Sequence, residues 1–304
     1  MQTILGANGA IGAEMYSHLL KYTDKMRLAG RNPKPIHPGD ELMVTDVLDA
    51  SQTDRAVAGS AVVYLLVGLP YDTKLWQVAW PKVMTHVINA CKKHGAKLVF
   101  FDNVYMYGRV TGWMTEDTPY HPCSRKGEIR AQIATQLMDE VKAGNLTALI
   151  ARSADFYGPL AYNTFMHPMI FKKLKEGGSA TWLCNDTVPH SFTFTPDAGR
   201  ATALLGNTPE AFNQVWHLPS DSNPLTGKEF IGKVAAEFGV KFSYSVMKPW
   251  MMKLGGLFNK LARESVEMSY QYESEYRFDS SRFEEKFFKA TPYSEGIKRC
   301  SAAY

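Results

Sequence analysis

A short apolar strand, Gln2–Leu5, runs directly into Gly6-Ala7-Asn8-Gly9-Ala10-Ile11-Gly12 and then into an amphipathic stretch of helical length, Ile11–Lys21. Three glycines at this spacing let the backbone turn sharply, approach a diphosphate and pack a helix against the strand, while the amides at the helix start bind the anion. A glycine triplet alone would also suit an ordinary tight turn. Its place between a first strand and a first helix is what points to a dinucleotide. Gly6, Asn8, Gly9, Ala10, Ile11 and Gly12 are therefore the first candidate contacts.

The end of the second strand discriminates between cofactors: an acid there accepts bonds from the ribose hydroxyls, whereas an arginine pairs with a 2′-phosphate. Met26–Ala29 is followed by Gly30-Arg31-Asn32, which has the arginine and lacks the acid. NADP(H) is accordingly favoured over NAD(H), with Arg31 on the 2′-phosphate and Lys34 as a second cation. A solvated loop arginine is the alternative reading of Arg31.

Short β-rich runs then alternate with helical stretches through the first half of the chain, the pattern of βαβ units and a parallel sheet. Strands are expected at Gln2–Leu5, Met26–Ala29, Glu41–Val44, Ala61–Val67, Lys97–Asp102 and Ala148–Arg152. Helices are expected at Ile11–Lys21, Thr53–Val57, Trp76–His94 and Gly127–Val141. The fold class is α/β, a Rossmann-type doubly wound parallel sheet of about seven strands with a smaller C-terminal substrate lobe. The dinucleotide domain is expected over residues 1–160 with later returns near 186–218, and the substrate lobe mainly over 161–304.

Composition narrows the function. Lys plus Arg number 34 against 30 Asp plus Glu, a net charge of +4 that is scattered, so nucleic acid is not expected as a partner. No apolar run reaches the roughly 18 residues of a membrane span, and no membrane partner is expected. Cys91, Cys123, Cys184 and Cys300 form no CxxC motif. That usage, with no leader-like start, leads to the expectation of a cytoplasmic protein. No metal-ligand spacing and no GxSxG elbow occur, so no metal site is expected. A small-molecule substrate and a monomer or homodimer complete the expectation.

Several further segments follow the glycine loop in order. Asp46-Val47-Leu48-Asp49, Leu66-Val67-Gly68, the run Leu98–Gly108 ending in Asn103-Val104-Tyr105-Met106-Tyr107-Gly108, and Arg152–Pro159 with Tyr157-Gly158-Pro159 resemble the extended short-chain dehydrogenase/reductases, the NAD-dependent epimerase/dehydratase group. Pro196-Asp197-Ala198 and Asp279-Ser280-Ser281-Arg282-Phe283 are similar to that family's later segments. The resemblance implies that Asp46 and Val47 lie beside the adenine and that Val67 and Gly68 pack near the adenosine ribose and diphosphate.

It also implies a catalytic tyrosine with a lysine four residues later on one helical face, where such side chains are neighbours. In this sequence those positions hold Lys126 and Arg130, and the family's serine position holds Asn103. Two readings follow. Lys126 replaces the tyrosine as acid/base, with Arg130 binding ribose or a substrate anion, and the chain is an NADP(H)-dependent oxidoreductase or epimerase of atypical mechanism on a small carbonyl or sugar-like substrate. Alternatively the chain is a non-catalytic NAD(P)-sensing or binding protein, its Lys126 and Arg130 forming a cationic face. Tyr105, just past the fifth strand where ligands bind in open sheets, is a substitute acid.

Overall fold

The computed structural model describes residues 1–162 and 164–304, which form two compact units. The first comprises Met1–Met106, Lys126–Ser153 and Ala198–Leu218. The second comprises Tyr107–Arg125, Ala154–Asp197 and Pro219–Tyr304.

The first unit is a seven-stranded parallel sheet with flanking helices. Its strands are β1 (Gln2–Leu5), β2 (Met26–Gly30), β3 (Glu41–Val44), β4 (Val62–Leu65), β5 (Lys97–Asp102), β6 (Ala148–Arg152) and β7 (Val215–His217), in spatial order β7-β6-β5-β4-β1-β2-β3. β1, β4 and β6 are buried at every residue, as strands covered on both faces are. The edge strand β3 is exposed at Glu41, Leu42 and Val44.

The helices are α1 (Ala10–Leu19), α2 (Ala50–Val57), α3 (Thr73–His94), α4 (Arg125–Lys142) and α5 (Thr195–Gly206). α2, α3 and α4 are linked by the Lys93–Asp54 and Lys92–Glu140 ion pairs. α5 presses on α1 at Gly199, where a Cβ would stand 2.7 Å from the Met15 amide nitrogen. Two helices begin earlier than the apolar periodicity predicts, because aspartates cap them. Asp49 accepts from the Ser51 and Gln52 amides, and Asp72 accepts from the Leu75 amide. β4 ends two residues sooner than predicted, and Leu66–Val67 leaves the sheet to form a wall against Gly6.

The second unit has an aromatic core containing Tyr157, Trp182, Phe192, Phe194, Phe230, Tyr272 and Tyr293. Short parallel pairs frame it, Asp155–Tyr157 with Phe192–Phe194 and Ala180–Leu183 with Tyr244–Met247. Gly227 and Gly296 let backbone approach Trp182 and Tyr157, since a Cβ at either would fall within 2.3 Å of those rings. Among the described residues, no helix is long and apolar enough to cross a membrane.

Candidate functional site

At the carboxyl end of β1, Gly6 adopts φ +96°, a left-handed conformation that side chains disfavour. A Cβ there would lie 2.9 Å from the Val67 amide nitrogen, and one on Gly12 would lie 2.4 Å from the Ala7 carbonyl oxygen. Gly6 and Gly12 are thus required by the turn's own packing. Gly9 is different: it is exposed, and its nearest obstacle to a Cβ is the Gly6 oxygen at 3.4 Å. It precedes α1 in an extended conformation, and no side chain caps the helix. The first-turn amides of a helix lack intrahelical partners, so the start of α1 is a ready anion cradle.

Asn8 ties this turn to the β2–β3 loop. Its amide donates to the Asn32 carbonyl (2.6 Å), and its oxygen accepts from the Lys34 amide (3.3 Å). The loop holding Arg31 and Lys34, both exposed or half-exposed, is thereby fixed beside the glycines. Asp46 is half-buried. Its carboxylate accepts from the Leu48 amide (3.0 Å), and its own amide donates to Gln52 Oε1 (2.9 Å). Val47 is buried, with its carbonyl 3.1 Å from His86 Nδ1.

A second cluster forms where β5 ends and α4 begins. Lys126, in the first turn of α4, is 0% exposed. Its Nζ donates to Thr73 Oγ1 (2.7 Å) and lies 4.5 Å from the centroid of the Tyr71 ring. Both partners come from the segment that opens α3. One turn further along α4, the Arg130 guanidinium lies 4.1 Å from the Trp80 ring centroid and 5.1 Å from that of Trp76, with Phe100 at 5.9 Å. Asn103 turns its oxygen back to accept from the Tyr105 amide (3.1 Å), which shapes the turn after β5.

Beneath these residues Asp102 is buried between two arginines. Its oxygens stand 3.4 Å from Arg130 and 3.6 Å from Arg152. Burial pushes the Asp102 carboxyl above its usual range, an effect the two guanidiniums oppose, and burial also lowers Arg130. Asp102 and Arg152 are register partners on β5 and β6, so the pairing follows from strand order. Sequence reasoning singled out Arg130 but missed its ionic partner Asp102, and missed Tyr71 and Thr73. A charged residue closing each of two neighbouring strands was the available signal for Asp102 and Arg152; Tyr71 and Thr73 had none, being loop and helix-start residues.

A seven-stranded parallel sheet bearing a glycine-lined turn at its first strand is a Rossmann-type fold. The chain belongs to the NAD dependent epimerase/dehydratase family, whose sequence profile matches residues 3–217. Among solved structures it is similar to UDP-glucuronic acid 4-epimerase from Bacillus cereus in complex with NAD, at 17% identity and TM-score 0.80, covering 100% of this chain and 98% of that one. It is also similar to a UDP-glucose 4-epimerase complex with NAD from Thermus thermophilus (14%, TM-score 0.80, 100% and 98% covered). A dTDP-glucose 4,6-dehydratase double mutant from Streptomyces venezuelae with NAD bound is likewise similar (16%, TM-score 0.79, 100% and 96% covered). No curated protein sequence matches the chain.

Proposed function

We propose that the chain binds NADP(H) in preference to NAD(H) and acts as an oxidoreductase or epimerase of atypical mechanism on a small carbonyl or sugar-like compound. The observation that carries this reading is the Lys126 amine held on Thr73 Oγ1 at the helix position where the family's tyrosine is expected. The glycine cradle fits a dinucleotide: Gly6 and Gly12 tolerate no Cβ, and Gly9 leaves the start of α1 accessible. Gly6, Asn8, Gly9, Ala10, Ile11 and Gly12 would hold the diphosphate, Asp46 and Val47 the adenine, and Val67 and Gly68 the adjoining ribose. Arg31 would meet the 2′-phosphate, on a loop that Asn8 holds in place. A nicotinamide, when bound, supplies reversible two-electron oxidation of a carbon centre.

Lys126 is the proton-transferring group in this reading, and Thr73 Oγ1, which accepts its hydrogen bond, holds the amine in place. Tyr71 shields the amine and fixes its direction. Asn103 and Tyr105 shape the turn after β5 and in this reading would present an amide and a phenol to substrate. Arg130 acts as a positioning residue, because its charge is already compensated by Asp102 and its plane is held against Trp76 and Trp80. Residues 161–304 serve mainly as the substrate lobe. A cytoplasmic setting belongs to the same reading, and the burial that pushes the Cys91 thiol up to about 12 and the Cys184 thiol up to about 11 keeps both unreactive.

A second reading, a non-catalytic NAD(P)-binding protein, is favoured by the complete shielding of Lys126 from solvent. The two are separated by titrating NADPH and NADH and then screening carbonyl compounds and sugar nucleotides for a change in nicotinamide absorbance. Turnover of any of them supports the enzyme. Silence across the screen with cofactor demonstrably bound overturns it in favour of the binding protein.

A further inference from the structure

In the second unit the helices Pro249–Gly255 and Lys260–Ser265 form a hairpin that presents its apolar side chains outward. Phe258 is 93% exposed, Leu257 72%, Trp250 and Leu261 61% and Leu254 53%. Met252 alone on the first helix is buried, seated in the aromatic core, while the hairpin also rests on residues Val266–Tyr272 and leaves its other large apolar side chains exposed. Its tip has a defined conformation. The Leu257 and Phe258 amides donate to the Leu254 and Gly255 carbonyls, and Asn259 caps the second helix through the Ala262 amide. Gly256 lets the helices meet, since a Cβ there would lie 3.0 Å from Arg263 Cα.

Charge accompanies this apolar ridge. From Lys248 to Arg263 the chain carries Lys248, Lys253, Lys260 and Arg263 and no acid; the first, Glu264, follows. Contiguous exposed apolar surface of this kind marks an interaction site. A second copy packing symmetrically would set the same four cations against themselves. Exposed Trp and Phe among cations match instead the chemistry of a bilayer interface, where aromatic and aliphatic groups enter the acyl boundary and Lys or Arg meet anionic headgroups. We infer that residues 248–263 are a peripheral docking surface for anionic lipid membranes, which revises the expectation of no membrane partner drawn from the absence of a spanning segment.

The test is flotation of the full chain with phosphatidylcholine vesicles containing about one-third phosphatidylserine, and with pure phosphatidylcholine. The inference requires at least about tenfold tighter binding to the anionic vesicles, weakening with added salt. Leu257→Glu with Phe258→Glu should abolish it, and Lys253→Glu with Lys260→Glu should remove the lipid preference, each with an unchanged thermal midpoint because these side chains are exposed. Failure to prefer anionic vesicles, or binding indifferent to both double variants, overturns it. A dimer in sedimentation that the Leu257/Phe258 variant dissociates, without vesicle binding, assigns the ridge to a second copy. Equal binding to polyglutamate that survives the same variant assigns it to an acidic macromolecule.

Discussion

The turn after β1 and the start of α4 lie on one sheet and obey different rules. At the turn the constraint is on backbone: Gly6 and Gly12 are required because a Cβ would strike Val67 and Ala7. At α4 the constraint is on side chains, and in the proposed reading Lys126 and Arg130 take the places that the family resemblance assigns to a tyrosine and a lysine. A turn that offers amides needs almost no side-chain chemistry to hold an anion. A side-chain cluster depends on the groups it packs together, here Lys126 on Thr73 and Tyr71 and Arg130 on Trp80 and Asp102.

The largest expected effect tests whether the α4 cluster is structurally fixed. Asp102→Leu leaves Arg130 and Arg152 buried without their counter-charge and should cost about 3–5 kcal/mol in urea unfolding. A loss below about 1 kcal/mol would mean that the guanidiniums find other partners on relaxation. Next, Gly12→Ala should destabilise by about 1–3 kcal/mol through overpacking and weaken dinucleotide binding with it. Retention of wild-type cofactor affinity in that variant would break the assignment of the turn.

Arg31→Ala should remove most of a preference for NADPH over NADH worth about 1.5–3 kcal/mol, read by titrating both cofactors. Equal affinities in the unmutated protein would contradict the assignment outright. The smallest effect concerns Asp49, whose hydrogen bonds from the Gln52 and Ser51 groups hold its carboxyl down to about 2. Because the folded pKa is depressed, the cap's contribution is fully present above about pH 4 and is lost as pH falls toward 2. Asp49→Ala should lower the thermal midpoint slightly at neutral pH and hardly at all at pH 2, and an equal drop at both would refute the sign.

The sheet and the glycine turn were legible because continuous apolar strands and glycine spacing are local signals. Helix starts were less so: α2 and α3 begin at aspartate caps upstream of the first apolar residues, Asp49 and Asp72. Lys126 and Arg130 could be singled out from the sequence, but their surroundings could not. Thr73 and Tyr71 lie more than fifty residues earlier and come together with Lys126 only through strand order. Arg130 was expected to face a ligand, whereas its neighbours Trp76, Trp80 and Phe100 belong to α3 and β5, elements whose apolar faces read as ordinary core. Trp250, Leu254, Leu257, Phe258 and Leu261 are as apolar in sequence as core residues, and only their exposure tells them apart from core.

The central claim is that Lys126 moves a proton while the glycine turn holds the cofactor, and Lys126→Met separates the two. Methionine keeps much of the buried volume and removes the amine, and an unchanged circular dichroism spectrum would confirm the fold. With a substrate from the carbonyl and sugar-nucleotide screen, turnover at saturating cofactor should fall by about 10²–10⁴-fold while the cofactor Kd changes little. Turnover preserved at saturating cofactor, with cofactor affinity lost, would contradict the account and make Lys126 a nucleotide contact.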